Sequence, residues 1–218
     1  MNYLIDSYTA EVRKNTKCKG ISIYEYDLVK DKQYVKNAMK IRPWENCYEI
    51  YFGSCKPFSI ENSLMVYEKY NPISIFDPTA GWGGRAIGAG MLNIQYLGMD
   101  CNPELVEPYK QLCKDWNINF QFGDCMKIDW PNADMVFTSP PYFNKEVYVG
   151  SEIKSKKEWR LWYKEFAKKC KMYKIIALNV NEEIYNLIKE VLGECSDKIL
   201  LSIKKRRLYK EYIYVWTR

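Results

Sequence analysis

The chain has 218 residues, a formal net charge of +6, 47% hydrophobic residues, 19 tyrosines and no histidine. That content suffices for one domain with a sizeable core and argues against intrinsic disorder. No apolar run approaches the about 18 to 20 residues of a membrane span, and the N-terminus carries charges where a signal peptide needs an apolar centre. The 8 cysteines form no Cys-x-x-Cys pair. With no histidine to complete a ligand set, a structural metal site is not expected. Scattered cysteines of this kind read as reduced thiols, which places the protein in an intracellular, reducing compartment rather than outside the cell.

Residues 1–45 read as an N-terminal extension, distinct by pattern from a main domain over 46–218. Residues 14–19 are polar and basic, and Tyr34 to Ile41 has the pattern of a helix. The extension either packs on the main domain or clamps a substrate. Phe52-Gly53-Ser54-Cys55-Lys56-Pro57-Phe58 is a turn leading into a helix from Ile60 to Tyr70. The apolar run Ile73-Ser74-Ile75-Phe76 then ends in Asp77-Pro78, and the glycine-rich turn Gly81-Trp82-Gly83-Gly84 opens a helix over Ala86 to Met91. Glycines there let the backbone pass close to a ligand, and the first turn of a helix leaves N–H groups unpaired. A second strand, Ile94 to Met99, ends at Asp100, where a carboxylate is placed to bind the ribose hydroxyls of an adenosine cofactor. A third, Asn119 to Phe122, ends in Gly123-Asp124, with Asp124 placed to accept from an adenine amino group.

The fourth strand, Met135-Val136-Phe137, stops at Thr138-Ser139-Pro140-Pro141-Tyr142-Phe143. Two prolines fix φ and remove two N–H donors, leaving a stiff loop that offers carbonyl acceptors beside an aromatic ring. A planar group bearing an amino function, such as a nucleobase, suits that surface; a proline-stiffened turn with a packing tyrosine is the plainer account. Asn144 to Ser155 follows as a flap. Trp159 to Met172 is an amphipathic helix whose aromatic stripe faces the core, Lys174 to Val180 a buried strand, and Glu182 to Leu192 a helix stopped by Gly193. Ile199 to Ile203 and Tyr212 to Trp216 close the chain as a hairpin around Lys204-Lys205-Arg206-Arg207, a turn that either contacts phosphate or is merely solvated.

Taken together, four consecutive strand ends carrying Asp-Pro with glycines, Asp, Gly-Asp and Ser-Pro-Pro-Tyr resemble the S-adenosylmethionine-dependent DNA amino-methyltransferases of cytosine N4 and adenine N6. The resemblance covers roughly residues 52 to 217. It implies an α/β, Rossmann-like class I methyltransferase fold with a mostly parallel sheet ending in an antiparallel C-terminal hairpin. By the same likeness, S-adenosyl-L-methionine would be held by Asp77, Pro78, Gly81, Gly83, Asp100 and Asp124, with Lys56 from the Lys-Pro segment. Ser139, Pro140, Pro141 and Tyr142 would hold the target base and carry the catalysis. Serine at the first loop position tilts the target toward cytosine N4 over adenine N6, and the resemblance to enzymes that act mostly on DNA implies DNA over RNA. The alternatives are an RNA adenine or guanine amino-methyltransferase, or a non-catalytic nucleic-acid-binding subunit of a heteromeric enzyme. The chain departs from many members in leaving no room for a separate target-recognition region. Specificity is then short, or comes from the N-terminal segment, the flap, a homodimer or a partner subunit. Ring C5 methylation is disfavoured because it needs a thiolate, and no cysteine lies in or beside the Ser-Pro-Pro-Tyr loop.

Overall fold

The computed structural model describes residues 2–53, 55–143, 155–201 and 211–218. The basic turn at 204–207 and all of the flap except Ser155 lie outside them. The sheet is built from β1 (Ser74–Asp77), β2 (Gln95–Asp100), β3 (Asn119–Phe122), β4 (Met135–Thr138), β5 (Ile175–Val180), β6 (Asp197–Leu200) and β7 (Tyr212–Thr217). Its seven strands run in the order β3-β2-β1-β4-β5-β7-β6. The first five are parallel, and β7 runs antiparallel between β5 and β6. This is the α/β architecture expected from the sequence.

The period-2 geometry of the strands divides their side chains between two cores. Ile75, Met135, Phe137, Ala177, Ile213 and Val215 belong to one, and Phe76, Val136, Ile176, Leu178, Tyr214 and Trp216 to the other. The first is covered by α4 (Ile60–Tyr70), α5 (Gly84–Met91) and α6 (Val106–Trp116), through residues such as Val66, Ile87 and Leu112. The second is covered by α7 (Lys156–Cys170) and α8 (Glu182–Leu192), through Tyr163, Phe166, Ile184 and Ile188. Burial of each such large apolar side chain contributes about 1.5 to 3 kcal/mol.

Local signals set most boundaries. Ser59 caps α4 by accepting from Asn62 N, and the helix stops at Asn71 in the left-handed region (φ 46°). Helix α7 begins at Lys156, earlier than the apolar stripe suggests, because Ser155 and Glu158 form a capping box whose polar first turn carries no hydrophobic period. Strand β6 starts at Asp197 rather than Ile199, where the Asp197 carboxylate accepts from Lys69 Nζ and Tyr70 Oη, each at 2.5 Å. The N-terminal region contains α1 (Asn2–Asn15), α2 (Gln33–Met39) and α3 (Trp44–Tyr51), of which only α2 shows in the sequence pattern. Helix α1 packs on α5 and α6: Ile5 is fully buried, Tyr8 Oη donates to Asp115 at 2.8 Å, and Thr9 Oγ1 donates to Trp82 O at 3.2 Å. Among the described residues no helix is long and apolar enough to cross a membrane.

At the end of β1, Asp77 is completely buried and paired with Arg85 of α5, at 2.6 Å and 3.2 Å. Tyr96 Oη donates to the same carboxylate at 2.7 Å. Burial pushes the guanidinium toward losing its proton, but the adjacent Asp77 outweighs this and the pKa ends raised. Removing one partner of such a pair strands the other charge. Asp77→Ala is therefore expected to lower the unfolding free energy by about 3 to 5 kcal/mol in urea denaturation. Replacing both partners, Asp77→Leu with Arg85→Met, should cost less than Asp77→Ala alone. Losses that simply add would show that the two charges are not coupled.

Candidate functional site

Strands β1, β2 and β3 fill one half of the sheet and β4 starts the other, so the order reverses between β1 and β4. Loops leaving two such strands diverge to opposite faces and open a crevice at their carboxyl ends. A cleft of about 290 Å³ lies there, at the small end of the range of about 300 to 1,000 Å³ typical of ligand pockets. Its walls come from the turns after β1, β2, β3 and β4, from Lys56 and Phe58, and from Trp159 and Trp162 of α7.

The floor is the turn after β1. Gly81 (φ 57°) and Gly83 (φ 93°) adopt the left-handed region that an L side chain resists. A Cβ on Gly84 would sit 1.9 Å from the Phe58 carbonyl oxygen, so the Lys56–Phe58 segment crosses the start of α5 only because that position is glycine. The turn is tied down at several points. Ala80 N donates to Met99 O at 2.8 Å, Gly81 N to Asp100 Oδ2 at 2.9 Å, and the Arg85 guanidinium to Thr79 O at 2.7 Å. The hydroxyls of Thr79 and Thr138 lie 2.5 Å apart and join this turn to the end of β4.

Asp100 ends β2 and also accepts from Asn102 N at 2.9 Å. Burial raises its pKa, and the two backbone N–H groups partly offset that. Asp124 caps the short turn at Cys125–Lys127 by accepting from Met126 N at 2.9 Å, and 42% of its side chain stays exposed.

The loop after β4 is held rigidly. Tyr163 Oη of α7 donates to Pro141 O and accepts from Phe143 N at 3.0 Å. Ser139 Oγ donates to Asn179 Oδ1 at 3.2 Å, and Tyr142 Oη donates to the same oxygen at 3.2 Å and to Asn179 O at 3.1 Å. Asn179 in turn donates from Nδ2 to Tyr212 O at 3.0 Å.

Folding thus brings Lys56, Pro78, Gly81, Asp100, Asp124, Ser139, Pro140, Pro141 and Tyr142 to one cleft. Asp77 and Gly83 are not in its lining; Asp77 is engaged by Arg85 and Tyr96, and Gly83 caps α5. Arg85, Asn179, Trp159 and Trp162 belong to no motif that marks them as site residues. A lone arginine opening an apolar helix and a lone asparagine in a buried strand were the available signals for two of them. The aromatic stripe of α7 does serve the core, but its Trp159 and Trp162 also reach the cleft. Two cysteines far from the Ser-Pro-Pro-Tyr loop in sequence, Cys101 and Cys125, line the cleft as well. Distance along the chain was therefore no ground for discounting them. The ground is protonation: burial, with Asp100 and Asp124 nearby, pushes the Cys101 thiol up to about 11 and the Cys125 thiol up as well.

No family model and no curated protein matches the sequence. Solved structures do resemble the fold. One is a "putative methyltransferase complexed with SAH", with a TM-score of 0.56 at 14% identity over 74% of this chain and 53% of that one. Another is a "predicted N6-adenine-specific DNA methylase" from Listeria monocytogenes, at 0.52 and 16% over 73% and 51%. The chain thus spans about half the length of these two. A "putative RNA methyltransferase" from Pyrococcus horikoshii matches at 0.53 and 15% over 99% of this chain and 98% of that one. The fold is the Rossmann-like one of class I methyltransferases.

Thiols held protonated are poor nucleophiles. At pH 7.5, Cys101 and Cys125 should react with iodoacetamide roughly two orders of magnitude more slowly than an unperturbed thiol, as followed by peptide mass spectrometry. Reaction at an ordinary thiol rate would restore them as candidate nucleophiles.

Proposed function

We propose that this chain transfers a methyl group from S-adenosyl-L-methionine to the exocyclic amino group of a base in DNA, cytosine N4 in preference to adenine N6. The observation that carries this is the meeting of Asp100 and the glycine turn with the Ser139–Tyr142 loop in a single cleft. The residues suit the cofactor. Gly81 allows close backbone approach, Asp100 presents a carboxylate to vicinal hydroxyls, and Asp124 has oxygen exposed beside them. When bound, the cofactor supplies an electrophilic methyl group.

The protein's own task is to hold the amine. An exocyclic nitrogen conjugated with a base ring is a weak nucleophile because its lone pair is delocalised. Acceptors at Ser139 Oγ and the Pro140 carbonyl take its hydrogens and turn the lone pair out of the ring plane. Pro140 and Pro141 carry no N–H, so at these positions the loop backbone can only accept. Tyr142 stacks on the base, which is swung out of a duplex or already single-stranded. Positioning supplies most of the remaining rate. The preference for cytosine rests on the serine-first loop, and that for DNA on the resemblance to enzymes that act mostly on DNA.

Calorimetry with S-adenosylhomocysteine should show binding, and Asp100→Ala should weaken it by about 1 to 3 kcal/mol, as for charge-assisted hydrogen bonds. Tyr142→Ala should weaken nucleic-acid binding by about 1 to 3 kcal/mol and leave cofactor affinity nearly unchanged. Incubation with labelled cofactor and duplex DNA, single-stranded DNA or RNA, followed by nucleoside mass spectrometry, should give N4-methylcytosine. N6-methyladenine would keep the chemistry and change the base, and label in RNA alone would overturn the DNA assignment. A ring-carbon product would overturn the mechanism.

A further inference from the structure

Asn179 is 2% exposed and carries no role in the chemistry just described. Parallel pairing sets Thr138 opposite Leu178, so the next residues, Ser139 just past β4 and Asn179 within β5, stand side by side. On its other side β5 pairs with β7, with Val180 opposite Tyr212. The direction of the Asn179 amide follows from these neighbours. The Tyr212 carbonyl can only accept, so Nδ2 faces it at 3.0 Å and Oδ1 faces the hydroxyls of Ser139 and Tyr142, each at 3.2 Å. Oδ1 can only accept, so both hydroxyls donate to it.

A serine hydroxyl has one hydrogen. Once it is given to Asn179, Ser139 Oγ has only lone pairs left to present. Its neighbours Pro140 and Pro141 have no N–H, so the target end of the cleft is an acceptor surface. We propose that Asn179 is the positioning residue that sets this polarity, and that through Ser139 it makes the site select a base edge bearing amino hydrogens over one bearing a carbonyl oxygen. The inference rests on the function proposed above and adds the residue that enforces its substrate class. A carbonyl oxygen set against Ser139 Oγ would meet lone pairs with no hydrogen between them, which costs binding as any unpaired buried acceptor does. Without Asn179 the Ser139 hydroxyl would turn and donate, and the distinction would fade. Tyr142 would keep its hydrogen bond to the backbone carbonyl of residue 179, so its ring stays anchored to β5.

The test uses the full chain. Short oligothymidylates carrying one cytosine or one adenine are compared, by competition binding, with the same strands carrying uracil or hypoxanthine at that position. The wild type should favour the amino-bearing strand of at least one pair by about tenfold, the scale of one buried hydrogen bond lost. In Asn179→Leu the preference should fall to near unity and the single-turnover rate should drop at least about tenfold, with S-adenosylhomocysteine affinity unchanged. Asn179→Asp, when its buried carboxyl is protonated, keeps a donor toward Tyr212 O and an acceptor toward both hydroxyls, and should recover most of the rate as the pH is lowered. A mere packing role would lower thermal stability without moving the base preference. Equal wild-type affinity within both pairs overturns the inference, whether or not the leucine variant folds. A wild type that makes an amino-methylated product beside a leucine variant with unchanged rate and preference overturns the inference alone. A wild type that makes no such product overturns the proposed function, and the inference with it.

Discussion

The site depends on one buried ion pair. Asp77 and Arg85 meet where water does not reach, and neither charge is tolerable there without the other. The pair is also a brace. Asp77 belongs to β1 and Arg85 to the first turn of α5, and the guanidinium reaches on to Thr79 O at 2.7 Å. Tyr96 of β2 closes the group on the Asp77 carboxylate. The strand, the glycine turn and the helix are therefore fixed to one another before any ligand arrives, which limits the ordering cost of binding. The Arg85 guanidinium is also 5.3 Å from the centre of the Phe58 ring, and this draws the Lys56–Phe58 segment across the turn.

The second half of the site is held by a different physics. The Ser139–Tyr142 loop carries no charge, and its rigidity comes from two prolines and from hydroxyl hydrogen bonds to the neighbouring strand and helix. Tyr163 grips the backbone at Pro141 and Phe143, and Asn179 grips the side chains of Ser139 and Tyr142. Burial raises the pKa of Tyr163, so its phenol stays protonated and can donate at any ordinary pH. The charged and uncharged halves join where Thr79 and Thr138 touch. A displacement of one half is thereby felt by the other.

Charges of both signs line the cleft. Asp100 and Asp124, at the ends of β2 and β3, share it with Lys56, Arg85 and Lys127. Carboxylates at those strand ends disfavour thiolate at Cys101 and Cys125 while suiting hydroxyl and amino donors.

Much of this was legible along the chain. Apolar runs bounded by glycine, proline and acidic residues located the inner strands, because a strand buried on both faces must be apolar and must end where the chain turns; edge strand β6, only half-buried, begins two residues before its apolar run. Asp100, Asp124 and Ser139 to Tyr142 were legible because each ends such a run. Helices α1 and α3 were not; they are held by tertiary contacts such as Ile5 in the core and Trp44 Nε1 donating to Ile23 O at 2.7 Å. Asp77 looked like a ligand because it opens the glycine turn; only the fold brings Arg85 and Tyr96 to its carboxylate. Cys101 reaches the cleft, and Asn179 reaches the Ser139–Tyr142 loop behind it, through strand pairing and sheet order. The sequence by itself determined which elements form and which chemical groups stand at their ends, because periodicity and turn chemistry are local. The tertiary structure decided which of those groups face the cleft and which brace it, because partners such as Ser139 and Asn179 are adjacent only across the sheet.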